Sequence, residues 1–162
     1  MLVPAVLYSQ EIEEKTKEFF YTDDMLYWTG SVYSYSFEVN INSTNKSGEQ
    51  VFQYAVINEN KELIGIICYT IDLYASCVYQ FGIFSFVRNT MTFAADLVKV
   101  LNNLSHYHRI EWRCMGGNPV SRHYDKFCEQ HNGTKYILHD VFKDKKGNYH
   151  DSYIYEIINP NK

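Results

Sequence analysis

This 162-residue sequence has no apolar run long enough to cross a bilayer. The longest, over residues 63–71, is about half of what a membrane helix needs and contains Gly65, Tyr69 and Thr70. No basic segment flanks the apolar residues between Met1 and Leu7, so they do not read as a signal peptide, and a cytoplasmic setting without a membrane partner is expected. Positive charge is not in excess either. Fifteen Lys and Arg stand against nineteen Asp and Glu, for a net charge of −4, and a broad nucleic-acid footprint is not expected. The four cysteines, Cys68, Cys77, Cys114 and Cys128, have no C-x-x-C spacing and lie in apolar stretches, where cysteine behaves as a small hydrophobe and stays reduced. His106 and His108 lack an acidic or cysteine partner at ligand spacing, and His123, His139 and His150 are isolated, so no metal is expected. Nucleophilic cysteine chemistry, which needs a neighbouring base, has no motif here.

What is present suits a folded domain. Hydrophobic residues make up 46% and charged residues 21%, enough to bury a core without staples and too apolar for disorder. Aromatic residues reach 17%, fifteen of them tyrosines, which fit half-buried strands and cleft walls because the ring packs while the hydroxyl finds a partner. An aromatic surface of that kind leaves dimerisation of two copies as one reading. There is no repeat, and the one linker-like stretch, residues 40–50, is too short to separate domains, so residues 1–162 are expected to form one.

Periodicity orders the elements. Val3 to Tyr8 suits a short strand, and Ser9 caps a helix over Gln10 to Phe20. Thr22 with Asp23 and Asp24 marks a second helix start, and Ser31 to Glu38 fits a strand or an extended loop. Alternation then gives strands over Phe52 to Asn58, Glu62 to Leu73 and Cys77 to Phe86, joined by polar turns. From Thr90 the period becomes helical, with Phe93, Leu97, Val100, Leu101 and Leu104 on one face. A strand over Arg109 to Cys114 leads to a helix capped by Asn118, with Pro119 at its first position, that stops at Asn132-Gly133. Strands over Lys135 to Phe142 and Tyr149 to Ile157 flank a turn at Asp144 to Gly147. A meander followed by a β-α-β-α unit predicts an α/β (α+β) fold with a mixed, mostly antiparallel sheet of six to seven strands and helices on both faces.

The segment Gly117-Asn118-Pro119-Val120-Ser121-Arg122-His123-Tyr124-Asp125-Lys126-Phe127 resembles the Asn-x-x-Ala/Ser helix of the GNAT acetyltransferase superfamily. The ending Asp144 to Tyr155 is similar to the closing hairpin of many members, and Tyr54 to Gly65 to their second strand, turn and third strand. The resemblance covers about two thirds of the chain and rests on the order and spacing of its parts. It implies a CoA-side core over residues 51–158 and an acceptor side, with helices and loop, over residues 1–50. One departure stands out. Where members carry Arg/Gln-x-x-Gly-x-Gly/Ala to hold the CoA pyrophosphate, this chain has Arg88, but Met91 and Phe93 replace the glycines. A helix N-terminus keeps its free amides and dipole without them, while close approach of a phosphate to the backbone is easier with them.

The resemblance implies acetyl-CoA as acyl donor and a small-molecule or peptide amine as acceptor. Tyr124 would be the acid that protonates the leaving thiolate. CoA would run past Phe84 and Phe86 at the end of the strand over 77–86, past Arg88, Asn89 and Thr90 at the turn, and past Asn118 and Ser121. Gln80 and an aromatic wall at Tyr27 and Trp28 would face the acceptor. Several of these residues have plainer readings: Tyr124 as a packed core tyrosine, Asn118 as a helix cap, Gly82 as the mark of a bulge. No carboxylate sits in the strand over 77–86, so Asp72, Glu111 or ordered water are the substitutes for a general base, none of them singled out, and Arg109 and Arg113 on one strand face are expected to form ion pairs. The alternative function is a GNAT-fold binding or regulatory module that has lost CoA.

Overall fold

The computed structural model describes residues 1–21, 39, 43–44, 48–87, 91–144 and 146–160. Strand β1 (Leu2–Pro4) runs into a 3-10 turn, Ala5–Tyr8, and helix α1 (Ser9–Tyr21). After β2 (Ser43–Thr44) come the long strands β3 (Glu49–Ile57), β4 (Leu63–Asp72) and β5 (Cys77–Ser85). Helix α2 (Met91–Leu104), strand β6 (Arg109–Met115), helix α3 (Ser121–Gln130) and the hairpin β7 (Thr134–Lys143) and β8 (Tyr149–Ile158) complete the chain. The expected second helix from Thr22 and the segment Ser31 to Glu38 lie outside the described residues.

One sheet holds every described strand, in the order β1-β3-β4-β5-β6-β8-β7, with β2 added against β3. These pairs are antiparallel except β5 and β6, which the α2 crossover makes parallel. The turns that set the registers are chemically marked. Asn58 Oδ1 accepts the amides of Asn60 and Glu62, both at 2.9 Å, closing the β3–β4 turn. Asn132, at φ 53°, ends α3, and the Gly133 amide returns to the Cys128 carbonyl at 2.8 Å.

Alternation splits the core in two. Val56, Ile67, Ile71, Val78, Phe81, Ile110 and Trp112 face α2 and α3, meeting Phe93, Val100, Leu104, Tyr124 and Cys128. Ala55, Ile57, Ile66, Cys68 and Phe84 face the other way and meet Ala5 and Ile12 of the α1 side. Helices therefore cover both faces of a mixed sheet. Among the described residues no helix is long and apolar enough to cross a membrane.

Three sequence expectations shift. Val3 to Tyr8 is a strand only as far as Pro4, which has no amide to continue the pairing, and then coils with Ala5 buried. Helix α3 begins at Ser121, because Asn118 to Val120 form a turn of their own. The sheet also reaches into the loop, with Ser43 and Thr44 opposite Val51 and Gln50.

Candidate active site

Strands β5 and β6 pair at Cys77 and Arg109, Val78 and Ile110, and Phe81 and Trp112, and then part. The pairs advance three residues on β5 for two on β6 between Val78 and Phe81, so β5 carries one extra residue. Gln80 sits in this bulge at φ 53°, and its Oε1 accepts the Thr70 hydroxyl at 3.1 Å. A bulge bends its strand and adds local twist, which carries the last four residues of β5 away from the end of β6.

A cavity of about 550 Å³ fills the gap and continues beneath α2 and α3. Phe81, Ile83 and Ser85 of β5 form one wall, Phe93 and Leu97 of α2 another, and Trp112, Asn118, Tyr124 and Phe127 the rest. Its polar groups are few. The Asn118 Oδ1 accepts the Val120 amide at 3.0 Å, and the Ser85 hydroxyl donates to the Val87 carbonyl at 2.5 Å. The Trp112 indole N–H is buried and finds no acceptor among the described residues. Such a donor costs about 1–3 kcal/mol unless something supplies an acceptor.

Tyr124 is buried, 6% exposed, and meets Trp112 and Tyr155 edge-on at centroid distances of 6.0 and 5.7 Å. Trp112 in turn lies flat on Tyr155, 5.3 Å away with planes 9° apart. Behind these rings the Tyr155 hydroxyl donates to Asp125 Oδ1 at 2.8 Å, and the Lys135 ammonium reaches the same oxygen at 2.8 Å. This ties α3 to both strands of the closing hairpin, at the residue next to Tyr124. Burial, reinforced by the neighbouring Cys114 and Asp125, raises the Tyr155 phenol far above its ordinary range, so it remains a donor. Burial also pushes the Cys114 thiol up to about 11, which keeps it neutral and unreactive.

No family model and no curated protein matches the chain. Solved structures do. A candidate acetyltransferase from Acinetobacter baylyi ADP1 superposes with a TM-score of 0.63 at 12% identity, over 98% of this chain and 91% of that one. The spermidine N-acetyltransferase SpeG of Vibrio cholerae, in complex with CoA and spermine, gives a TM-score of 0.52 at 20% identity, over 70% of this chain and 68% of that one. A chimera of the Vibrio cholerae enzyme and hSSAT gives 0.51 at 21% identity, over 70% of each chain.

This chain has the GNAT acetyltransferase fold.

Within that GNAT fold the residues expected from sequence separate. Tyr124 and Asn118 come together on the cavity wall. Ser121 stands at the start of α3, where its amide donates to the Asn118 carbonyl at 3.0 Å, and is not part of the wall. Phe84 and Phe86 require correction: neither lines the cavity. Both pack on the α1 side, 5.3 Å apart edge-on, and the Phe86 amide donates to Ile64 of β4. The bulge is the reason. Unbroken alternation from Val78 puts Phe84 and Phe86 on the cavity side, and one inserted residue exchanges them for Ile83 and Ser85. Gln80 is corrected likewise, since it forms the bulge and binds Thr70 rather than lining the cavity, and the bulge lies there rather than at Gly82. Arg88, Asn89, Thr90, Tyr27 and Trp28 fall outside the described residues.

Neither acidic residue lines the cavity. Asp72 caps the β4–β5 turn, accepting the Tyr74 and Ala75 amides at 2.9 and 3.0 Å. Glu111 is held by Arg109 at 2.7 Å and Arg113 at 3.2 Å, and Arg109 also reaches Glu156 at 3.0 Å, the ion pairs expected of these arginines. His108 engages the Asn159 carbonyl at 3.1 Å, and among the described residues no group of three metal-binding side chains converges. Sequence reading missed Trp112, Phe127 and the α2 residues Phe93 and Leu97 as wall residues. Their helical and strand periods mark them as inward-facing, but a core residue and a cavity wall share that pattern.

Proposed function

We propose that this protein is an acyltransferase that moves an acyl group from a coenzyme A thioester to a primary amine on a small molecule or peptide. The observation that carries this reading is the placement of Tyr124 on the wall of an apolar cavity, opening where two parallel strands part, in the fold of N-acetyltransferases. A bound donor supplies a thioester whose carbonyl carbon the amine nitrogen attacks, so that an N–C bond forms, the C–S bond breaks, the amine gives up one proton and the thiolate takes one up.

The residues present fit such a donor. The cavity has the size of a small-ligand site and lies beside the first turn of α2, whose amides and dipole favour an anionic group even with Met91 and Phe93 in place of glycines. Tyr124 supplies the thiolate's proton. Asn118 shapes the rim. The resemblance would add Arg88, Asn89 and Thr90 on the pyrophosphate side and Tyr27 and Trp28 on the acceptor side.

The bulk of Met91 and Phe93 favours a second reading, a binding module on the same fold that has lost CoA. Calorimetric titration with acetyl-CoA separates the two. One micromolar site per chain supports the transferase, whereas no heat at millimolar ligand, with an unchanged melting temperature, supports the module. With turnover in hand, Tyr124→Phe is expected to lower kcat about 100-fold or more while donor affinity holds. Full turnover in that variant would remove the assigned acid.

A further inference from the structure

The cavity is deeper than an acetyl group needs. Its α2 wall starts at Phe93 and Ala94, continues through Leu97 and Val98, and ends at Leu101. From Phe93 to Leu101 the helix rises about 12 Å at 1.5 Å per residue. The cavity thus runs from the parted ends of β5 and β6 down to Phe81 and Trp112, the last pair at which those strands remain in register.

The chemistry of the wall narrows the occupant. No Lys, Arg, Asp or Glu lines it among the described residues. The Asn118 and Ser85 oxygens are engaged by neighbouring backbone, and of the other described wall residues only Trp112, His123 and Tyr124 carry polar side-chain groups, so rings and branched aliphatics make up most of the wall. An apolar cavity of about 150 Å³ already accepts a benzene ring, so a space of 550 Å³ greatly exceeds one methyl group. The pantetheine arm would fill the part near the strand ends, and its amides would find few partners deeper in. A hydrocarbon chain needs none, and it would supply the dispersion contacts that an acetyl group leaves unmade along Leu97, Leu101 and Phe127.

We propose that the donor's acyl group is a medium-chain fatty acyl group, lying between α2, α3 and the sheet, rather than acetyl. The proposal rests on the transferase reading above and names its donor class. The test is calorimetric titration of the whole chain with CoA, acetyl-CoA, butanoyl-CoA and octanoyl-CoA, each also followed by melting temperature. Each methylene buried should tighten binding about fourfold, so butanoyl-CoA is expected to bind about fifteenfold tighter than acetyl-CoA, and octanoyl-CoA more than a hundredfold tighter. The heat-capacity change should grow more negative along the series. Leu97→Trp, which fills the cavity from α2, should abolish the preference for octanoyl-CoA over acetyl-CoA, and Leu97→Phe should reduce it in part. If all four bind with the octanoyl chain adding nothing, the chain-length inference falls and the transferase reading stands. If none of the four binds, both fall. An octanoyl preference that survives undiminished in folded Leu97→Trp places the chain elsewhere and overturns the proposal.

Discussion

Gly65 lies on β4 opposite Ser85, directly beneath the first turn of α2. A Cβ at this position would overlap the Phe93 ring and lie 2.6 Å from the Phe84 carbonyl oxygen. The ring can turn aside, but the carbonyl belongs to the strand and cannot move without β5. Gly65→Ala is therefore expected to cost about 3 kcal/mol in strain, the upper part of the usual range for overpacking. The added methyl also restricts the unfolded chain, which returns about 0.7 kcal/mol. The net loss of about 2 kcal/mol corresponds to a fall in melting temperature of roughly 4–8 °C for a chain of this size. Urea and thermal unfolding of the wild type, Gly65→Ala, Phe93→Leu and the double variant would measure it. Because Phe93→Leu removes the overlapping ring but not the carbonyl, the double variant should recover about 1 kcal/mol relative to the sum of the singles. A fall of less than 1 °C in Gly65→Ala, or strict additivity in the cycle, would refute the claim that this glycine sets how closely α2 approaches the sheet.

Two further outcomes follow from the hydrogen-bond geometry. Tyr155→Phe deletes the hydroxyl that donates to Asp125 at the edge of the core and should cost about 1.5 kcal/mol in urea unfolding; an unchanged midpoint would mean Lys135 alone satisfies that carboxylate. Asp144 accepts from His150, from the Asn148 side chain and amide, and from the Lys146 amide, which hold its carboxyl well below the ordinary carboxylate range. A lowered folded value means that its contribution is complete above the unfolded carboxylate value of about 4 and is lost only as pH falls through the folded one. Amide exchange at Lys146 and Asn148 should therefore remain slow through pH 4 and accelerate in stronger acid, and acceleration already near pH 4 would contradict the shift.

Where the chain's chemistry is local, the sequence could be read closely. The turns between β3 and β4, between β4 and β5, before β7 and between β7 and β8 are legible because Asn58, Asp72, Asn132 and Asp144 each satisfy turn amides with their own side chain or conformation. Helix α2 is legible because Phe93, Val100 and Leu104 repeat at helical spacing and are in fact buried together. The 3-10 turn after Pro4 was not legible, since it follows the pairing of β1 with a strand distant in sequence, and the pairing of Ser43 and Thr44 with β3 was not legible because the polar residues around it read as a loop. The helix start at Ser121 was misread by a few residues because Asn118 does cap an amide, but that of Val120 in the preceding turn.

The candidate site was legible in part for a related reason. Tyr124 and Asn118 lie on one continuous segment, so spacing alone keeps them together. The opposite wall depends on the phase of β5, and that phase changes at a residue with no local mark. Gly82 is the natural place to expect an irregular strand, yet it holds regular register opposite Cys68, while Gln80 adopts φ 53° with its side chain bound to Thr70. A non-glycine residue accepts such a conformation only when its surroundings compensate, and here the Thr70 hydroxyl, itself buried, supplies the contact across β4. The same inserted residue does two things. It turns Ile83 and Ser85 inward in place of Phe84 and Phe86, and it ends the pairing of β5 with β6 just past Phe81, where the cavity opens. The identity of the wall and the existence of the opening are therefore one structural event, set by the residue inserted at Gln80.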